Sequence, residues 1–142
     1  MIVVCTAHVR TKNTSNCREN WRVKAKRIKG ERALTALTCG QTLRGLRGLP
    51  IVSVTFERRS SGLLDEGDNL PNALKAVRDE VAALLGVDDG PKGGVKWLYA
   101  QTRIKRTEHP SVLIAVEVDA TNLTQAQMTA AITGPRTGAH HV

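Results

Sequence analysis

Between Asp68 and Gly86 the apolar residues Leu70, Leu74, Val77, Val81, Leu84 and Leu85 recur every three to four positions, which commits the stretch to a helix with one buried face. Asp68-Asn69 offers short side-chain acceptors for the first free amides, Pro71 suits the first turn, and Gly86 is placed to end the helix. Strand patterns lie on both sides. Before it, Ile51, Ser53, Thr55 and Glu57 alternate with Val52, Val54, Phe56 and Arg58, which predicts a strand with one apolar face. After it, residues 95–103 and 111–119 read as two strands, expected to pair with each other through the connection Ile104 to Pro110. A helix with one apolar stripe and strands with one apolar face bury those surfaces against each other.

The rest of the chain extends this pattern. The β-branched run in Met1 to Arg10 predicts a first strand. From Arg18 a basic helix of about five turns is expected, with Trp21, Ala25, Ile28 and Arg32 on its packing face and Trp21 as an anchor to the core, the role also assigned to Trp97. Residues 40–50 (GQTLRGLRGLP), with three glycines, read as a connecting loop, and residues 122–133 as a short final helix. The order β-α-β-α-β-β-α predicts an α+β (mixed α/β) fold, a small mixed sheet flanked by helices. At 142 residues and 41% hydrophobic content, one domain over residues 1–133 is expected, followed by a frayed tail over 134–142.

Charge narrows the partner. Lys and Arg number 21 against 13 Asp and Glu, a net charge of +8, which favours a polyanion. The distribution is uneven: residues 1–64 hold 13 basic and three acidic side chains, whereas residues 65–89 hold seven acids against Lys75 and Arg78. With 3% aromatic residues, rows of rings stacking on unpaired bases are disfavoured. The three cysteines, Cys5, Cys17 and Cys39, lack paired zinc spacing and read as reduced thiols. No stretch is long and apolar enough for a secretory signal or a membrane span, so a cytoplasmic protein without a membrane partner is expected.

The acids are arranged as metal-assisted phosphodiester cleavage would need. Mg²⁺ takes oxygen ligands, generally one to a few carboxylates, and lets water and phosphate complete its shell. Asp68, preceded by Asp65 and Glu66, stands at a helix start, and Asp88-Asp89 stands in the turn after the same helix. The same residues are also ordinary helix caps and turn formers.

The segment LLDEGDNLPNALKAVRDEVAALLGVDDGP resembles the catalytic segment of the RusA family of Holliday-junction resolvases, particularly its phage and prophage relatives. Asp68-Asn69-Leu70 matches the start of that segment, Lys75 and Asp79 the helix pair, and Leu85-Gly86-Val87-Asp88-Asp89 its end. Arg18-Glu19-Asn20-Trp21, Leu49-Pro50 and residues 96–101 are similar more loosely, so the likeness spans about residues 16 to 103. It implies a RusA-like fold and a Mg²⁺-dependent (or Mn²⁺-dependent) endodeoxyribonuclease that cuts branched DNA such as Holliday junctions, in recombination and repair.

By that resemblance Asp68 and Asp89 are metal ligands with Asp88 beside them. The first acid is Glu66, or Asp65, because the stretch carries one extra residue. Lys75 either stabilises charge on the scissile phosphate or simply pairs with Asp79 four residues on. Arg18, Arg22, Lys24, Lys26, Arg27, Lys29 and Arg32 are expected to hold DNA phosphates without reading sequence. A helix from Leu70 to Gly86 is about 24 Å long, so its two ends cannot share a metal directly. Either the chain doubles back before Asp89, or a homodimer, which the resemblance also implies, joins the ends of two subunits. The competing expectation is a basic nucleic-acid-binding or phage accessory protein in which the acids only cap and turn.

Overall fold

The structure, a computed structural model, describes residues 1–12, 19–65, 67 and 69–133. Cys17, Arg18, Glu66, Asp68 and the expected tail at 134–142 lie outside the described residues. The fold is mixed α+β, as the alternation of elements predicts: a four-stranded mixed sheet with helices packed on it. In chain order the elements are β1 (Ile2–Ala7), α1 (Trp21–Arg44), β2 (Ile51–Ser60), α2 (Asn69–Ala73), α3 (Lys75–Leu85), β3 (Lys96–Arg103), β4 (Ser111–Val118) and α4 (Gln125–Thr133), with a 3-10 turn at Pro91–Gly93.

The sheet order is β1-β4-β2-β3. β4 lies antiparallel to both β1 and β2, and β3 runs parallel to β2. β3 and β4 therefore do not pair as the sequence suggested: β2 lies between them. The helical crossover from β2 through α2 and α3 delivers β3 beside β2 in parallel, which leaves the other edge of β2 for β4.

Alternation sets the two faces of the sheet. Cys5, Ile114, Phe56 and Tyr99 stand in one cross-strand row, and Val3, Val116, Val54 and Trp97 in the next, all on the face that packs against the helices. Trp97 and Tyr99, both from β3, stack with Phe56 at centroid separations of 6.0 and 5.9 Å. The predicted apolar face closes this core: Leu70 of α2, Leu74 at the junction and Val77, Val81, Leu84 and Leu85 of α3 are all buried, although the single helix expected here is divided at Leu74. Burial of each contributes about 1.5–3 kcal/mol. Gly86, at φ 69°, caps α3 in the left-handed region, where a side chain is costly. The opposite sheet face carries exposed Ile2, Val4 and Leu98.

α1 departs from expectation in two ways. It runs through Gly40 to Arg44 instead of ending before the glycine-rich stretch, and its buried residues are Glu31, Thr35, Cys39, Gly40 and Leu43. Trp21 is 72% exposed, with the Arg22 guanidinium 5.2 Å above its ring, and is no core anchor. The packing face lies further along the helix, because the charged first turns extend past the edge of the core. Of the expected thiols, Cys39 and Cys5 are free, and the Cys5 thiol is held protonated by its hydrogen bond to Cys39 and by burial.

Candidate functional site

Three local devices place the described acids. Arg58, buried on β2, donates from Nε to Thr11 Oγ1 at 3.0 Å and from Nη1 to the Gly62 carbonyl at 2.7 Å, so the chain leaving β2 is tied down; burial lowers this arginine's pKa. The Gln101 side chain then brackets Leu64, accepting from its N–H at 2.9 Å and donating to its carbonyl at 2.6 Å. Asp65 follows, exposed, and its backbone carbonyl accepts from Leu70 N–H at 2.9 Å as α2 begins. Glu66 and Asp68, assigned catalytic and metal-binding roles, lie outside the described residues.

At the far end of α3 the chain doubles back. Asp88 Oδ1 accepts from Gly90 N–H at 2.8 Å, closing a tight turn. Gly93 sits so close to the Asp88 carbonyl that any Cβ there would overlap it. The reversal brings Asp89 Oδ2 to 3.8 Å from Arg78 Nε, seven residues before the end of α3, while Arg78 Nη1 donates to the Tyr99 hydroxyl at 2.8 Å. The reversal thus sets Asp89 beside a residue in the first half of α3 rather than beyond its end. Arg78 Nε is buried and makes no hydrogen bond, so an inward shift of Asp89 by about 1 Å would complete the pair. Neither Arg78 nor Tyr99 was singled out from sequence. No spacing signals them, because their contact joins a helix to a strand across 21 positions.

The described carboxylates do not by themselves form a Mg²⁺ site. Among the described residues no group of three or more His, Cys, Asp or Glu side chains stands together. Asp89 faces a guanidinium, Asp88 spends one oxygen on its turn, and Asp65 stands at the other end of the helical segment. Lys75 Nζ pairs with Asp79 Oδ2 at 2.8 Å across one helical turn, the structural alternative named for it above.

The basic residues of α1 fall into two groups. Arg27 is held by two carboxylates: Nε and Nη2 donate to Glu19 at 3.2 and 3.1 Å, and Nη1 donates to Glu31 at 3.3 Å. Lys12, five residues beyond the end of β1, joins at 3.0 Å from Glu19. The Arg27 guanidinium, then Lys12, lowers the Glu19 pKa to about 2, whereas burial raises that of Glu31 despite Arg27 beside it. Arg32 is taken up by Glu80 at 2.8 Å, tying α1 to α3. Arg22, Lys24, Lys26 and Lys29, by contrast, are exposed, and none forms an ion pair among the described residues. Arg18 lies outside the described residues.

These pairings place four of the seven proposed DNA-binding cations in solvent and two in internal bridges. Comparison with models of protein families finds none that matches this chain, and comparison with curated proteins finds no match either.

Proposed function

We propose that the chain binds nucleic acid along the exposed start of α1, and that it cuts branched DNA with Mg²⁺ or Mn²⁺ using acids at the start of α2 and in the returning turn. One observation carries the binding part. Arg22, Lys24, Lys26 and Lys29 stand exposed on consecutive turns with no carboxylate among the described residues to neutralise them, while the neighbouring arginines are already paired. Uncompensated cations, with Arg22, Lys26 and Lys29 on one side of the helix and Lys24 on another, gain from releasing counterions when they meet a phosphate backbone.

The cleavage part rests on the resemblance to the RusA family and on the chain reversal that returns Asp89 toward the start of the helical segment. A second reading has its own support. Asp88, Asp79 and Asp89 each face a partner in a turn or an ion pair, as they would in a binding protein without catalysis. A homodimer, with a four-way junction to serve, is favoured by the uncovered sheet face bearing Ile2, Val4 and Leu98. Among the described residues no helix is long and apolar enough to cross a membrane.

The experiment is a cleavage and binding assay on a four-way junction with Mg²⁺, comparing wild type, Asp68→Asn and Asp89→Asn. The nuclease reading expects cutting by wild type alone, with all three binding. Equal binding with no cutting by any of them leaves the binding protein. A monomeric mass in solution removes the dimer.

A further inference from the structure

The first turns of α1 and the α2–α3 segment do not close on one another. Between them lies a cleft of about 360 Å³, within the size range of pockets for small organic ligands. Ile28 and two small residues, Ala73 and Ala76, line it. Those two alanines are buried and make an apolar floor. Lys24 from α1 and Lys75 from α3, both exposed, line its mouth, and the Glu31 carboxylate lines its wall.

The charges are arranged unequally. Arg27 and Glu31 satisfy each other, as do Lys75 and Asp79, so both lining carboxylates are already paired. Lys24 is the lining cation with no ion-pair partner among the described residues. An apolar floor of this size and a free cation at the mouth suit a nucleotide, whose base lies on aliphatic surface while its phosphate meets a lysine. A duplex cannot enter so narrow a space, but one unpaired residue can.

We infer that the α1–α3 cleft holds a single unpaired nucleotide, its phosphate on Lys24 and its base over Ile28, Ala73 and Ala76. This rests on the nucleic-acid reading above and deepens it. Branched DNA would then be told from plain duplex by the unpaired nucleotide it can offer at a branch, with the rest of α1 gripping backbone.

The test measures binding of the full chain to two labelled DNAs of equal length, one fully paired and one ending in a short single-stranded overhang, at fixed salt. Wild type is expected to prefer the overhang by about tenfold, the order expected for seating one base. Ala76→Leu, which fills the floor, and Lys24→Gln are each expected to reduce that preference to about twofold or less. Lys26→Gln, two positions along the same helix and absent from the cleft lining, lowers affinity for both DNAs alike. Thermal unfolding checks that Ala76→Leu is folded, and Lys24→Gln stands alone if it is not. Equal losses from Lys24→Gln and Lys26→Gln, or no preference in wild type, overturn the cleft while leaving backbone binding intact. No binding of either DNA by wild type overturns both.

Discussion

The two halves of α1 have the same backbone conformation but face different surroundings. From Trp21 to Lys26 every side chain is exposed, whereas from Glu31 to Leu43 the helix buries Glu31, Thr35, Cys39, Gly40 and Leu43 against the fold. Basic side chains crowd the stretch up to Arg32, after which the next on the helix is Arg44 in the final turn. Where burial begins, Arg27 and Arg32 are diverted into ion pairs with Glu19, Glu31 and Glu80. The lesson is that charge along a helix does not by itself mark a binding surface. Cations near the core hold the helix in place, and only those beyond its edge remain for a partner.

The largest effect should follow from truncating the buried half. Leu43→Ala, at a position with no exposed surface, is expected to lower stability by about 3 kcal/mol, measured by urea unfolding. Next is the boundary. Arg27→Met leaves the buried Glu31 carboxylate without its guanidinium, while Glu19 keeps Lys12, and is expected to cost about 2 kcal/mol through Glu31, with little loss of DNA affinity. A change confined to DNA affinity would break the division drawn here.

The pH dependence sharpens the same point. The folded pKa of Glu19 is lowered from 4.5 to about 2, so its contribution is fully present above pH 4.5 and is lost as pH falls through about 2. Glu31 acts in the opposite sense, since its raised pKa means that protonation favours the folded state. Glu19→Gln should therefore flatten the acid limb of the stability curve between those pH values; a limb unchanged by the substitution removes the Glu19–Arg27 pair from the account. Smaller still, Gly30→Ala is expected to stabilise by about 1 kcal/mol, because the glycine is helical and a Cβ there meets nothing within 4 Å. Lys26→Ala should change stability by less than about 0.5 kcal/mol.

Local patterns were legible where apolar side chains decide the outcome. The buried positions of α3, its glycine cap and the apolar face of β2 follow from spacing alone, because each is set by large aliphatic or aromatic groups. The extent of α1 was not legible. Its buried residues include a glutamate, a threonine, a cysteine and a glycine, with Leu43 the one large aliphatic residue among them, so no hydrophobic stripe announces the helix through Gly40. Its seat comes instead from long-range pairs such as Arg32–Glu80 and from Lys12, which sequence spacing does not show. Strand neighbours were equally hidden. Residues 96–103 and 111–118 have clear strand patterns, but which edge of β2 each takes follows from the helical crossover between β2 and β3.

The acids and Lys75 are candidates that the sequence alone names, and the doubling back of the chain was one of two geometries foreseen. The partner that meets Asp89, Arg78 anchored on Tyr99, depends on the tertiary fold and left no local trace. The ion pairs that withdraw Arg27 and Arg32 from the basic surface were hidden for the same reason.

The central claim is that the free cations at the start of α1 meet nucleic-acid phosphates, and the salt dependence of junction binding tests it most directly. With Lys24, Lys26 and Lys29 all replaced by Gln, the slope of log affinity against log salt concentration should shrink by about 2 to 3, close to 0.9 for each phosphate contact removed. A slope and an affinity identical to those of wild type would contradict the claim.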